Sequence, residues 1–176
     1  IKRSMDRNKV GRTDTTGSTT NPSGIRFGLR PARLEEKDLL SELIEQSVRE
    51  LSKVEYNSRE IEGALRTVFG VDTELITDGT YYTVEAYING AVPIIAACGG
   101  WSKRKTLFGG DQFDKRESEK LDPATDAAKI RAFFVHPTWA RRGIGTMILE
   151  ECERAAKAHG FKRLELMATL PGEKLY

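Results

Sequence analysis

The stretch HPTWARRGIGTMILEECERAAKAHG, residues 136–160, joins a turn rich in arginine and glycine to a long amphipathic segment. The amphipathic pattern predicts a helix over residues 143–159, and Gly160 is typical of the position just after a helix end. The first turn of such a helix carries backbone N–H groups that have no partner within the helix, together with a partial positive charge. With Arg141 and Arg142 beside it, this turn favours the binding of an anion.

The two glycines of this turn fit a phosphate ligand. A Cβ atom at Gly143 or Gly145 would stand between a phosphate oxygen and the backbone N–H groups, and Thr146 can add a hydroxyl. A P-loop is excluded because the chain has no Gly-Lys-Ser or Gly-Lys-Thr run at the required spacing. A Rossmann fingerprint is excluded because Ile148 stands where a third small residue is needed. The alternative is a helix start with solvated arginines and no ligand.

The composition of the 176-residue chain indicates one domain with a hydrophobic core, since 39% of the residues are apolar and 31% are charged. The 28 lysines and arginines nearly balance the 26 acidic residues, and the net charge of +2 gives no general attraction to nucleic acid or to an anionic membrane. The longest apolar run, AVPIIAAC at residues 91–98, is too short to span a bilayer. We therefore expect neither nucleic acid nor membrane as a partner.

The cysteines and histidines of the chain suggest no metal or thiol chemistry. Cys98 lies in an apolar strand-like run and Cys152 on an apolar helix face, so both are predicted to be small buried hydrophobic residues. The lack of a predicted disulfide favours a reduced, cytoplasmic protein. The chain has only His136 and His159 and no cysteine pair at ligand spacing, so we expect no metal site.

Hydrophobic periodicity predicts an α+β fold in which a mixed sheet is flanked by helices. Residues 1–24 are rich in Thr, Ser, Gly, Asn and Asp and are predicted to form a flexible N-terminal arm ahead of a domain at residues 25–176. The predicted strands are 25–32, 80–88, 92–101, 128–137 and 162–168, and the predicted helices are 34–51, 57–70 and 143–159, with a helical turn at 73–77. Asn89-Gly90 predicts a hairpin, and residues 102–126 are predicted to be a long surface loop.

The segment FFVHPTWARRGIGTMIL, residues 133–149, resembles the acetyl-coenzyme A motif of the GNAT acyltransferase superfamily. In that motif a strand ending in Val-x-Pro leads to Gln/Arg-x-x-Gly-x-Gly/Ala and a long helix. Ala140 occupies the position that is usually Gln or Arg, which is a departure from the motif. The order of elements also matches the superfamily from Ile25 onward. The resemblance implies a GNAT-type acyl-CoA N-acyltransferase fold with a mixed, mostly antiparallel sheet.

The resemblance further implies acetyl-CoA as co-substrate and transfer of its acetyl group to a primary amine by direct attack in a ternary complex. The residues that it assigns to coenzyme A are Phe133, Phe134, Val135, Arg141, Arg142, Gly143, Ile144, Gly145 and Thr146. The backbone N–H of Phe133 would donate to the thioester oxygen as negative charge develops there. Tyr176 matches a family tyrosine beside the thiol and is predicted to be the general acid, with packing against the co-substrate as its alternative role. The family fold continues past this tyrosine, so we expect the C-terminal end of the domain to be incomplete.

The base that takes a proton from the amine is left open by the sequence. Some family members carry a glutamate four residues before the position of Phe133, but Lys129 stands there. The remaining candidates are Glu85, Asp111 and His136, each directly or through a water molecule. Arg131 either points into the acceptor site or pairs with a carboxylate. Trp101 and the basic run at residues 103–105 either shape the acceptor pocket or belong to a solvated turn.

The alternative function is a non-catalytic acyl-CoA-binding or regulatory module, which the missing family glutamate keeps open. For an active enzyme, the expected partner is a small-molecule or peptide amine, because acceptor loops vary while the donor site stays recognisable. A nucleic-acid binder is disfavoured by the near-neutral charge and by the lack of an aromatic and basic stripe. The resemblance also favours a homodimer.

Overall fold

The computed structural model describes the backbone of residues 2–5 and both backbone and side chains of residues 24–169. The strands are β1 (Lys2–Met5), β2 (Ile25–Pro31), β3 (Tyr81–Ile88), β4 (Ile94–Ser102), β5 (Ala128–Val135) and β6 (Leu164–Met167). The helices are α1 (Lys37–Leu51), α2 (Ser58–Thr67), α3 (Thr73–Thr77) and α4 (Ile144–Ala158), with short 3-10 turns at Leu34–Glu36 and Pro137–Trp139. Within these ranges the strands form one sheet in the order β1-β6-β5-β4-β3-β2, parallel only between β5 and β6. The predicted α+β fold with a mixed, mostly antiparallel sheet is confirmed.

Local signals in the sequence explain where several elements begin and end. Asn57 caps α2 by accepting from the Glu60 N–H at 3.0 Å, while the Glu60 carboxylate accepts from the Asn57 N–H at 2.8 Å. Asn89 and Gly90 have φ angles of 46° and 78°, which is the turn conformation that joins two strands with the natural twist. Gly160, with a φ of 89°, follows the end of α4. The predicted hairpin and helices are therefore confirmed, with small differences at their ends.

Two hydrophobic clusters within residues 24–169 hold the helices on the sheet. One cluster packs α4 residues such as Ile148 against Trp101 and Ile130 of the strands. The other packs α1 and α3 residues such as Leu40 and Leu75 against β3 and β4. Trp101 is fully buried, so it belongs to the core and does not shape an acceptor pocket.

The two cysteines are buried and free, as the sequence predicts. Burial raises the pKa of the Cys98 thiol to about 12 and also raises the pKa of the Cys152 thiol. Because the thiolate is the nucleophilic form, neither side chain is a reactive nucleophile near neutral pH.

The long loop at residues 103–127 is fixed to the body of the protein by charged groups. Arg104 donates to both carboxylate oxygens of Asp78 at 2.8 Å. Arg116 donates to Asp72 at 2.7 Å, and the Asp72 side chain is fully buried. The predicted surface loop is thus an ordered segment. Arg104, in the basic run at residues 103–105, is held in an ion pair and is not a solvated side chain of a turn.

Strand β1 has no counterpart in the sequence prediction. Lys2–Met5 pairs antiparallel with β6, with Lys2 opposite Met167. The predicted flexible arm at residues 1–24 is therefore corrected at residues 2–5, while residues 6–23 lie outside the described part of the chain. The backbone groups of an edge strand such as β6 can accept any extended segment, so composition alone gives no signal for this pairing.

Candidate functional site

The start of α4 is built from backbone in the left-handed conformation. Gly143 is the N-cap residue with a φ of 79°, and Arg141, two residues earlier, has a φ of 63°. A residue with a side chain loses roughly 1–2 kcal/mol in this region, so the conformation itself selects glycine at position 143. Among residues 24–169, apart from the chain neighbours of Gly143, no heavy atom lies within 4 Å of the place that a Cβ on Gly143 would occupy. The turn therefore presents open space directly in front of the helix N-terminus.

Side chains around this turn are divided between the core and the surface. Ile144 is 1% exposed and packs in the core, so only its backbone faces the turn. Arg141, Arg142 and Thr146 are exposed. The guanidinium carbon of Arg142 lies 5.2 Å from the ring centroid of Trp139, which is a cation–π distance. The helix start therefore combines two cations with a hydroxyl and the free N–H groups of a first helical turn.

The strand that leads into this turn pairs with β6 along only part of its length. The parallel pairing between β5 and β6 runs from Ala128 to Ile130. On its other side β5 pairs with β4 as far as Val135. Beyond Ile130 no described residue of β6 pairs with β5, which is the arrangement that an extended ligand bound along this edge would require.

The backbone amides of Phe133 and Val135 point to this edge. The His136 N–H donates to the Ala96 carbonyl of β4 at 2.8 Å, and successive amides of a strand alternate between its two edges. The Val135 N–H donates to the Ser47 hydroxyl of α1 at 3.2 Å, which agrees with an orientation away from β4. Two predicted co-substrate residues therefore aim backbone donors at the same edge.

A β-bulge interrupts β5 at the same place. Ala132 and Phe133 together oppose the single residue Gly99 of β4, and Ala132 has a φ of 59°. The Phe133 ring lies against Gly99, where a Cβ atom would come within 2.7 Å of it. Gly99 thus permits the bulge, and the bulge displaces the backbone of Phe133 from regular pairing.

Two buried side chains hold the bulge. The Tyr81 hydroxyl donates to the Ala132 carbonyl at 3.0 Å, and Tyr81 is fully buried. Arg131 is also buried, where it donates to the Asp72 carboxylate and to the Thr106 carbonyl, the latter at 2.9 Å. The structure thus decides between the two predicted roles of Arg131. Its side chain pairs with the carboxylate of Asp72 at the N-cap of α3 and does not point into a site for the acetyl-accepting substrate.

Glu85, a candidate base, is occupied by other groups. It accepts from Arg30 at 2.7 Å and from the Tyr87 hydroxyl at 2.6 Å. The hydrogen bond from Arg30, which is the largest cause, holds the pKa of Glu85 below its ordinary value despite partial burial. A carboxylate with a lowered pKa is a weak base, which disfavours the predicted role.

Asp111 and His136 are likewise committed to structural hydrogen bonds. Burial raises the pKa of Asp111, but hydrogen bonds from the Thr73 N–H at 2.9 Å and from Lys37 at 3.1 Å outweigh it, so the pKa lies below its ordinary value. His136 accepts at Nδ1 from the Thr138 N–H at 3.2 Å, as the cap of a 3-10 turn. The predicted general acid, Tyr176, lies outside the described residues.

Residues 45–176 match the sequence profile of the acetyltransferase (GNAT) family. The chain belongs to the GNAT acetyltransferase family. Its fold is similar to that of a GCN5-related N-acetyltransferase from Ralstonia eutropha JMP134, with 18% identity, coverage of 85% of this chain and 88% of that chain, and a TM-score of 0.51. It is also similar to a predicted acetyltransferase from Clostridium acetobutylicum that was solved with acetyl-CoA, with 15% identity, coverage of 85% and 86%, and a TM-score of 0.50. No curated protein is significantly similar in sequence.

This GNAT chain shows two further properties within its described residues. No helix there is long and apolar enough to cross a membrane. No group of three or more His, Cys, Asp or Glu side chains there could hold a metal ion. The family membership confirms the resemblance on which the predicted fold rested.

Three side chains contact β5 near the predicted oxyanion donor without any signal in the sequence, namely Tyr81, Ser47 and Asp72. Tyr81 belongs to an aromatic strand segment that is typical of ordinary core. Asp72 stands before a short helical turn, where an N-cap role explains it without any functional partner. No spacing rule links these positions to residues 131–135, which lie more than 50 positions later in the sequence.

Proposed function

We propose that this protein is an acetyl-CoA-dependent N-acetyltransferase that moves the acetyl group to a primary amine by direct attack in a ternary complex. One observation carries the proposal. The left-handed start of α4 at Gly143 follows β5 after the 3-10 turn at Pro137–Trp139, and the pairing of β5 with β6 ends at Ile130. An anion site and a stretch of β5 that does not pair with β6 are therefore neighbours in the chain, which suits a ligand made of a diphosphate joined to an extended amide-containing arm. Membership of the GNAT acetyltransferase family supports acetyl transfer.

The residues at the start of α4 fit the diphosphate of coenzyme A. The open space in front of Gly143 admits phosphate oxygens close to the backbone. The N–H groups of Gly143, Ile144, Gly145 and Thr146 would donate to those oxygens, with the Thr146 hydroxyl beside them. Arg141 and Arg142 would neutralise the charge.

The β6-facing edge of β5 beyond Ile130, called the outer edge below, would bind the pantetheine arm. The Phe133 and Val135 amides face this edge, while the Phe134 ring lies on the other side of the strand, 5.9 Å from Phe69 in edge contact. By the same alternation the Phe134 N–H faces β4, so Phe134 would hold the strand in place and would not contact the arm. The Val135 N–H, now bound to Ser47, would exchange its partner for an arm carbonyl.

In the proposed reaction the amine nitrogen attacks the thioester carbon, and the new C–N bond forms as the C–S bond breaks. The Phe133 N–H stabilises the negative charge that develops on the thioester oxygen, an effect that is larger in the transition state than in the ground state. Tyr176 is proposed to protonate the departing thiolate, and the resulting tyrosinate takes up the proton that the nitrogen loses as it becomes an amide, so that Tyr176 is restored. Binding both substrates side by side supplies much of the rate enhancement, so no covalent intermediate on the protein is needed.

The acceptor is proposed to be a small-molecule or peptide amine, and the cytoplasmic location and the homodimer stay predictions. A non-catalytic acyl-CoA-binding module is the second candidate, because Glu85, Asp111 and His136 are all held in structural hydrogen bonds. Release of free thiol on mixing acetyl-CoA with a panel of amines separates the two. A binding module would take up acetyl-CoA without releasing thiol above the uncatalysed rate.

The substitution Gly145→Glu tests the anion site. Its side chain places a negative charge at the first turn of α4, and we expect calorimetry to show no measurable coenzyme A binding. Gly63→Glu is the matched control, since Gly63 lies in α2 and a Cβ there meets no atom within 4 Å. Because Gly145 is buried, the exposed Thr146→Glu repeats the test without a packing change. Unchanged affinity in a folded Thr146→Glu protein would contradict the assignment.

A further inference from the structure

The carbonyl group of the bulge residue Ala132 accepts a hydrogen bond on the side of the strand opposite to the Phe133 N–H, the proposed oxyanion donor. The Tyr81 hydroxyl donates to its carbonyl oxygen at 3.0 Å. This carbonyl and the Phe133 N–H belong to one peptide group, which is planar and trans, since no described peptide bond is cis. The C=O and the N–H of a trans peptide point in opposite directions. A clamp on the carbonyl therefore fixes the direction of the amide hydrogen on the other side.

We propose that Tyr81 is a positioning residue for acetyl transfer, which aims the Phe133 N–H at the thioester oxygen by holding the Ala132 carbonyl. This inference rests on the proposed function, because it concerns the same oxyanion donor. It adds a residue that lies in β3, two strands along the sheet from the outer edge of β5.

The surroundings of Tyr81 suit a fixed donor. The side chain is fully buried, and desolvation, the largest cause, raises its pKa well above the ordinary value, so the hydroxyl keeps its proton. The Cys98 thiol beside it is also buried and protonated, with a pKa of about 12. Ala132 has a left-handed φ of 59° and would relax toward extended backbone without support. A donor on the carbonyl also polarises the peptide group and strengthens its N–H as a donor.

The residue next to Tyr81 offers a matched control. Tyr82 is 6% exposed and packs with the cluster beneath α4, whereas Tyr81 packs with the cluster beneath α1. Tyr81→Phe removes the hydroxyl that reaches Ala132, and Tyr82→Phe removes a hydroxyl from the opposite face of the same strand. A general loss of packing would affect the two variants alike.

Steady-state kinetics of acetyl transfer give the first test. Because removal of a whole oxyanion donor costs about 10²–10³ in kcat, we expect Tyr81→Phe, which only misdirects the donor, to lower kcat about tenfold. The KM for acetyl-CoA should stay within about twofold of wild type, since the diphosphate and arm contacts are made elsewhere. Tyr82→Phe should leave kcat within about twofold. Equal kcat in wild type and a folded Tyr81→Phe protein overturns the proposal.

Nuclear magnetic resonance tests the clamp without any substrate. Ala132-Phe133 is the only Ala-Phe pair in the sequence, so labelling with ¹³C-carbonyl alanine and ¹⁵N-phenylalanine gives one cross-peak from this peptide group. The peak should move in Tyr81→Phe, with an upfield carbonyl shift, and stay in place in Tyr82→Phe. An unmoved peak in Tyr81→Phe overturns the proposal.

A donor-restoring variant separates positioning from stability. Replacing Tyr81 by 4-aminophenylalanine keeps an N–H donor at the same place, and it should restore most of the lost kcat. Should Tyr81→Phe fail to fold, the 4-aminophenylalanine variant still decides the question, because its aniline N–H is a weaker donor than the phenol O–H. The carbonyl cross-peak should then move part of the way upfield and kcat should fall by less than tenfold, whereas an unmoved peak with wild-type kcat would overturn the proposal. Absence of turnover and of acetyl-CoA binding in wild type would instead refute the proposed function. The two failures are therefore distinguishable.

Discussion

Asp72 is expected to be the residue whose charge matters most for folding of the described domain. Its carboxylate is fully buried, where it accepts from Arg116 at 2.7 Å and from Arg131. It also caps α3 by accepting from the Glu74 N–H at 3.1 Å and the Leu75 N–H at 3.3 Å. Asp72→Asn keeps a cap oxygen but replaces the negative charge with a neutral amide.

The size of the effect follows from what Arg131 loses. Burial is the largest influence on its guanidinium and lowers its pKa, while the attraction of Asp72 opposes that shift. In the Asp72→Asn variant the guanidinium stays buried without its counterion, and removing one partner of a buried pair costs about 3–5 kcal/mol. Arg116 keeps Glu74 at 3.1 Å and Asp111 at 3.2 Å, so it adds little to this cost. For a domain of this size the melting temperature should fall by roughly 6–20 °C.

Urea unfolding followed by circular dichroism measures the change, provided that the m-value stays constant. Asp38→Asn removes the same charge from an exposed position of α1 and should cost less than about 1 kcal/mol. The double variant Asp72→Asn/Arg131→Met should be more stable than Asp72→Asn alone, because the unpaired buried charge is gone. A loss below about 1 kcal/mol in Asp72→Asn, or no recovery in the double variant, would refute this reasoning.

Two further predictions concern the sheet. Gly100→Ala should lower stability by about 1–3 kcal/mol in urea unfolding, since a Cβ there would lie 2.4 Å from the Thr80 carbonyl oxygen; a change below about 0.5 kcal/mol would argue against the tight fit. Arg30→Gln should lower stability at pH 7, because hydrogen bonds from Arg30, the largest cause for each, lower the pKa of Glu36 and of Glu85. A carboxylate whose pKa is lowered by folding contributes stability above its unfolded pKa of about 4.3, and this contribution is lost as the pH falls through the folded pKa. The difference in unfolding free energy between wild type and Arg30→Gln should therefore shrink in acid. A difference that stays constant from pH 7 to pH 3 would contradict the ion pair.

The donor half of the site is local in sequence, and this is why it could be predicted. The helix start of α4 depends on consecutive residues, and the strand before it is recognisable from its own apolar pattern. From the sequence, the reason for a glycine at position 143 is that a phosphate must come close to the backbone. The structure adds a second reason, since this residue has a left-handed φ of 79°. The helix caps and the hairpin at Asn89-Gly90 are equally local.

The rest could not be predicted because it depends on contacts between distant residues. The sequence leaves two roles open for Arg131, and only the fold places Asp72 beside it. The sequence indicates the three candidate bases because their side chains can accept a proton. Residue type does not reveal which hydrogen-bond donors surround each of them in the fold. Strand β1 has no compositional signal either, since backbone pairing at an edge places little demand on side chains.

The bulge in β5 links stability to the proposed chemistry. A left-handed alanine costs roughly 1–2 kcal/mol and persists only where its surroundings determine the backbone on both sides. Arg131 fixes the residue before Ala132 through Asp72, and Tyr81 fixes the carbonyl of Ala132 itself. Neither contact lies on the β6-facing edge of β5. The protein therefore holds the backbone of its proposed oxyanion donor through two contacts from the buried side, and these contacts make the donor rigid without competing with a substrate on the opposite side.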